Sequence, residues 1–374
     1  MTAARSFDKM FLGIVAALVI LGFFIFSSAS LGLVARDGSS LASLAGKQVL
    51  IGVVGGAIAL AVFSQIHYSF WKKYATWIFI LTLIVTALVF VPGLGFATGG
   101  AHRWIRLGPL MFQPSEILKL GYVLFLATMF TRRPRAAETV KEGLLPFLGA
   151  LLAVGLLLLK QPDTGTFMVF VFTGAGMYFV AGGQWKHFFA LGAVGLAGIA
   201  LLFATRPYVR ERILTFIDPS RDAQGSSYQI QQALIAIGSG KIGGRGFGQS
   251  IQKFKYLPEP VGDSIFAVTA EEFGLIGSTV LILLFLLFAL RGMRIATHAP
   301  DSFSALLAVG IVIHIVSQSA INIAAMLGLI PLTGVPLMFI SQGGTALFIG
   351  LCEIGILLNI SQHAKRHALA EATA

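Results

Sequence analysis

The stretch MFLGIVAALVILGFFIFSSASLGLV, residues 10–34, runs for 25 residues without one charged side chain. A helix needs about 20 such residues to cross the hydrocarbon core of a bilayer. Arg5 and Lys9 precede the run, as basic residues precede a secretory signal. It is too long for an ordinary signal core and more apolar runs follow it, so a retained membrane helix is the reading adopted.

Working outward, further apolar runs fall at about 45–63, 74–93, 113–131, 143–159, 164–182, 187–205, 264–290, 302–328 and 336–362. The composition agrees. Hydrophobic residues make up 56% and charged residues 11% of the 374, whereas a soluble chain carries about 25% charged. Strict polar alternation is absent, which argues against an outer-membrane β-barrel. The expected fold is therefore an all-α integral membrane protein of about ten transmembrane helices, with one domain over residues 1–374.

Orientation follows from lysine and arginine. A cytoplasmic N-terminus puts 13 of them inside: Arg5, Lys9, Lys72, Lys73, Arg132, Arg133, Arg135, Lys141, Lys186, Arg291, Arg294, Lys365 and Arg366. The short outer loops then hold five: Arg36, Lys47, Arg103, Arg106 and Lys160. Both termini are expected in the cytoplasm, with a long extracytoplasmic loop, about 206–263, between helices seven and eight. The net charge of +11 is read as topology and as contact with anionic membrane lipids, so no nucleic-acid partner is expected. Cys352 stands alone and excludes an intrachain disulfide.

Ionisable residues within spans are costly and mark candidate sites. Glu116 and Lys119, three apart, share a helix face. They form either a self-neutralising local pair or part of a cavity. Glu271 and Glu272 are adjacent and point different ways, so at least one faces a cavity or a polar partner. His314 and Glu353 are solitary in sequence and read as buried, hydrogen-bonded structural groups. Asp263 opens the eighth span, where it is either a helix N-cap or a chemical group at the membrane face. Gly238-Ser-Gly-Lys-Ile-Gly243 matches G-x-G-x-x-G but follows no strand of a βαβ unit, and no Walker motif or zinc spacing is present. These glycines, with Lys241 and Arg245, either let backbone approach a phosphate or form turns.

Ordered motifs run along almost the whole chain: Gly100-Ala-His-Arg-Trp-Ile-Arg106, Phe112-Gln-Pro-Ser-Glu-Ile-Leu-Lys119, Gln161-Pro-Asp-Thr-Gly165, Tyr228-Gln229 and Ala236-Ile-Gly-Ser-Gly240. Tyr256-Leu-Pro-Glu259, Asp263-Ser-Ile-Phe-Ala-Val268, Glu271-Glu272-Phe-Gly274, Pro331-Leu-Thr-Gly334 and Ile340-Ser-Gln-Gly-Gly344 complete the series. With these the chain resembles the SEDS family, the RodA/FtsW membrane proteins of bacterial cell-wall synthesis. The division-type FtsW branch is favoured by Gly246-Phe-Gly-Gln-Ser-Ile-Gln-Lys253 running into Tyr256. Ser264, Met338 and Thr345-Ala346 depart from the family's usual residues.

The resemblance implies a multi-pass protein of the bacterial inner membrane, a peptidoglycan glycosyltransferase that polymerises lipid II beside a class B penicillin-binding protein and other division or elongation proteins. It implies Asp263 as the catalytic carboxylate, acting as general base. Around the substrate it implies Glu116, Lys119, Asp163, Glu259, Glu272 and Ser341. For the anionic leaving group of such a reaction Arg103, Arg106, Arg210 and Arg212 are the candidate cations, each otherwise a topology or lipid-contact residue. Asp163 also reads as a turn cap. A divalent cation, Mg2+ or Mn2+, is the candidate cofactor, and no organic cofactor is expected. Two other classes fit the same charges: a lipid II flippase, and a scaffold that only recruits the transpeptidase.

Overall fold

In lipid every backbone N–H must be bonded within its own segment, which drives each apolar run into a helix. The computed structural model describes residues 7–37, 46, 48–98, 101–108, 110–133, 135–218 and 226–373. Seven helices are long and apolar enough to cross a membrane. They are α1 (Lys9–Asp37), α3 (Tyr68–Phe90), α5 (Val140–Lys160), α7 (Trp185–Thr205), α11 (Ile265–Thr297), α12 (Ser302–Met326) and α13 (Gly344–Thr373). The other expected spans are helical but shorter or more polar: α2 (Gln48–Phe63), α4 (Pro114–Thr131) and α6 (Thr164–Val180).

Large apolar side chains crowd the outside, with Trp77 71%, Leu156 65% and Phe189 77% exposed. That inverts a soluble protein's surface and leaves those residues to lipid. The central helix α12 packs on α4, α6, α11 and α13. By contrast, α7 buries only His187 and packs chiefly along α8 (Pro207–Ile217).

Hydrogen bonds gather one face of the bundle. Arg291 at the end of α11 donates to Asp8 (2.8 Å), and the Asp8 N–H donates to Ser361 in α13 (3.2 Å). Asp8, just ahead of α1, and Ser361, in the last described helix, thus lie on the same face.

Two regions read as loops are built otherwise. Residues around Arg103 form an antiparallel sheet of β1 (Gly95–Thr98), β2 (Ala101–Leu107) and β3 (Leu110–Phe112). A seven-residue strand amid charges gives far less periodic signal than a membrane span, so the all-α expectation passed over it. The long segment 206–263 contains α8, α9 (Ser226–Ser239) and α10 (Gln252–Lys255). Ala233 and Ala236 are fully buried where α9 packs on α11.

The glycine motif is a packing device. At Gly274, with φ 65 and ψ −163, α11 breaks. Residues 241–246 lie along the break: Leu275 N–H donates to Lys241 O (2.9 Å) and Arg245 N–H to Glu271 O (3.0 Å). A Cβ on Gly240 would stand 1.9 Å from Ala270 O, so only glycine permits this approach. The turn reading holds, since residues 240–243 are turns, and what it lacked is their bonding to the break in α11.

Candidate active site

Asp263 closes the turn Glu259–Asp263 ahead of α11. Glu259 takes the left-handed φ of 46, and its carbonyl accepts from the N–H groups of Gly262 and Ser264, each at 3.1 Å. Ser264, not Asp263, occupies the N-cap position, and no side chain caps it. The N-cap reading of Asp263 is thereby corrected: its carboxylate turns toward the segment after α12. A Cβ on Gly334 would lie 3.4 Å from Asp263 Oδ2 and 3.9 Å from Arg212 Nη2. The acid and the guanidinium therefore flank one glycine, which holds φ +70.

Burial raises the Asp263 pKa first, and the negative charge of Glu259 adds to it; Arg212 and Arg103 oppose, Asp163 assists, and the group titrates at about 6 instead of 3.8. Burial also lowers the pKa of Arg212, against which Tyr208 acts first. The Arg212 guanidinium lies over the Tyr208 ring at 4.4 Å and donates to Leu332 O.

Asp163 faces the same place from α6. Its Oδ1 caps the helix by accepting from Thr166 N–H (3.3 Å) and stands 3.9 Å from Arg103 Nη1. Its Oδ2 is buried with no hydrogen-bond partner, a costly state that calls for a partner from outside the chain. The turn-cap reading therefore accounts for one oxygen and leaves the other available. Arg103, on β2, donates to the carbonyls of Gln161 and Pro162 and so clamps the sheet to the Gln161-Pro-Asp163 turn. Among the described residues no three His, Cys, Asp or Glu side chains are grouped to hold a metal alone. A magnesium ion carried by substrate phosphates needs only one or two carboxylates, and the orphaned Asp163 oxygen fits that need.

Glu116 and Lys119 form more than a local pair. Lys119 Nζ donates to both Glu116 oxygens (2.8 and 2.9 Å) and to Gln318 Oε1, and Gln318 Nε2 donates to Pro336 O (3.1 Å). This buried chain runs from α4 through α12 to the segment bearing Gly334.

The remaining expected site residues are engaged in other contacts, Ser341 next to the Asp263 turn and the rest away from it. Glu272 is fully engaged in a buried cluster with Lys253 Nζ (2.6 Å) and Ser28 Oγ (2.7 Å). Glu271 accepts from Ser250 Oγ and from the Ile251 N–H (3.0 Å), so both neighbours find polar partners. Ser341 Oγ donates to Gly262 O and accepts from Leu337 N–H, both at 2.8 Å, which makes it a brace for the Asp263 turn. Arg106 lies over the Phe96 ring at 5.8 Å and Arg210 over Phe203 at 5.9 Å; neither is among the charges acting on Asp263. His314 and Glu353 are buried as expected and are each other's partner at 3.1 Å across α12 and α13. Ser264, one of the departures, is buried and accepts from Gln229 (3.0 Å), a residue of the Tyr228-Gln229 motif.

Sequence reading missed Gln318 and Asn322. They stand four apart on the inward face of α12, and amides at that spacing within an apolar span were the available signal.

A family model of cell cycle proteins, that of FtsW, RodA and SpoVE, matches residues 8–366. Stage V sporulation protein E of Bacillus subtilis (strain 168) is 40% identical over 310 residues, covering 83% of this chain and 85% of that protein. A probable peptidoglycan glycosyltransferase FtsW of Geobacter sp. (strain M18) is 36% identical, covering 96% and 98%. A chain from a study of how a peptidoglycan synthase complex coordinates polymerization and crosslinking superposes with TM-score 0.80 at 30% identity, covering 96% and 98%. Rod shape determining protein RodA of Thermus thermophilus gives TM-score 0.70 at 29% identity, covering 95% and 97%. A multi-pass helical bundle that carries this ordered set of motifs and matches the family model almost from end to end belongs to the FtsW/RodA/SpoVE family, the SEDS proteins.

Proposed function

We propose that this chain, a peptidoglycan glycosyltransferase like its FtsW relatives, polymerises lipid II with Asp263 as its general base. One observation carries the role of Asp263: a half-buried carboxylate, titrating at about 6, beside the guanidinium of Arg212. An acceptor hydroxyl is a poor nucleophile at neutral pH, and a general base works best with a pKa near the working pH. The acceptor sugar's 4-hydroxyl attacks the anomeric carbon of the donor, and its proton passes to Asp263. The bond from that carbon to the pyrophosphate oxygen breaks, and undecaprenyl pyrophosphate leaves as an anion. Arg212 and Arg103 neutralise charge developing there. Asp163 would hold a divalent cation carried by the pyrophosphate, and that ion would supply further charge neutralisation there.

The proposed setting is the bacterial inner membrane, with the Asp263 face outside and a class B penicillin-binding protein supplying crosslinks. Likeness to a chain from a peptidoglycan synthase complex supports such a partner. The test is glycan ladder formation from lipid II by the purified chain, with and without that partner and with Mg2+ or Mn2+. Ladders that disappear in Asp263→Asn support the reading. Persisting ladders in that variant remove the base, and lipid II transport without any ladder returns the flippase.

A further inference from the structure

We propose that Asn322 is the positioning residue of this reaction, holding Asp263 at its working place through two backbone carbonyls. The inference rests on Asp263 being the base. Asn322 lies near the end of α12 and is 1% exposed. Its Nδ2 donates one hydrogen to the carbonyl of Asp263 itself (2.8 Å) and the other to the carbonyl of Val335 (2.7 Å). One amide thus spends both hydrogens joining two separate segments. They are the segments whose apposition sets the Asp263 carboxylate against Gly334 and beside Arg212.

Packing alone does not account for an amide here. Asn322 Oδ1 is buried and has no hydrogen-bond partner, and a buried acceptor left unmet destabilises a fold. A leucine has the same branching without that unmet acceptor, but it would leave the carbonyls of Asp263 and Val335 without this donor. The amide is kept for its donors, and both donors serve the Asp263 junction.

The junction has further braces: Ser341 Oγ donates to Gly262 O (2.8 Å), and Gln342 N–H donates to Val261 O (2.7 Å). Those bonds hold the turn ahead of Asp263, whereas among the described residues it is the Asn322 side chain that bonds the main chain of Asp263 itself. Asn322 does not touch the carboxylate, so its action runs through the backbone. A carboxylate displaced by about an ångström from the attacking hydroxyl loses on the order of 100-fold in rate.

The experiment uses the full chain, with its transpeptidase partner where activity needs one, and lipid II as substrate. Asn322→Leu and Asn322→Asp are compared with wild type for kcat, KM, thermal midpoint and the pH–rate profile. Folded variants are expected to keep KM within about threefold while kcat falls about 10- to 100-fold. The acid limb near pH 6 should also move, because Asp263 leaves the Arg212–Glu259 environment that sets it. A folded Asn322→Leu with kcat within about threefold of wild type and the limb in place overturns the proposal. If neither variant folds, Ser341→Ala gives the same readout from the adjoining brace. A smaller fall in kcat with a displaced limb supports the junction, and an unchanged profile overturns it. Asp263→Asn runs beside them: full activity there defeats the base assignment on its own, whatever the Asn322 variants do.

Discussion

Asp263 sits in an environment that suits it to the proposed role of base and costs stability. Its pKa lies above the ordinary 3.8, at about 6, so the folded state binds the proton more tightly than the unfolded chain does. The folded state therefore loses stability as pH rises through about 6, by at most roughly 3 kcal/mol before solvent screening is allowed for. Asp263→Asn removes that cost. We expect ladder formation to fall at least about 100-fold while the thermal midpoint at pH 8 rises by about 2–5 °C, read by detergent thermal-shift assay. Wild-type activity should halve near pH 6, where half the carboxylate is protonated. Asp163→Asn separates capping from charge, since asparagine caps helices as well as aspartate does. We expect an unchanged midpoint with kcat reduced about tenfold, equivalent to 1.4 kcal/mol.

Among the elements, the splice between residues 240–255 and α11 is tied by a buried ion pair. Lys253 and Glu272 are both buried, at 2.6 Å, with Ser28 bonding to each. Removing one partner of such a pair strands a buried charge, at a cost of about 3–5 kcal/mol. Lys253→Met is therefore expected to lower the thermal midpoint sharply, and the double change Lys253→Met with Glu272→Leu to restore much of it. Gly244→Ala attacks the same splice by shape. At φ +79 its Cβ would stand 2.2 Å from Glu272 O, and reduced yield of folded protein in size-exclusion chromatography is the expected result.

At the scale of the molecule, the polar face that gathers Asp8, Arg291 and Ser361 must be cytoplasmic if the Asp263 face is outside. Cys352 is buried and so gives a silent background for labelling. With a membrane-impermeant maleimide on intact cells, Lys241→Cys should react directly, whereas Lys186→Cys should react only after permeabilisation. The opposite pattern would reverse the orientation and remove the extracytoplasmic site.

Residues 10–34 and the runs after them determined the membrane bundle by themselves, because a bilayer requires long uncharged helices and leaves that demand visible in one dimension. The motifs brought Asp263, Arg103 and Asp163 forward among several other candidates, and Arg212 stood with them only as one of four candidate cations. Tertiary structure decided what each polar group does. Glu272 and Ser341 stood in motifs as prominent as that of Asp263, yet their bonds to Lys253 and to Gly262 O make them structural. His314 and Glu353 lie 39 positions apart, and only the packing of α12 on α13 makes them a pair. Asn322 bonds Asp263 from 59 positions away. A hydrogen bond depends on distance in space, and residues so far apart meet only after the helices have packed.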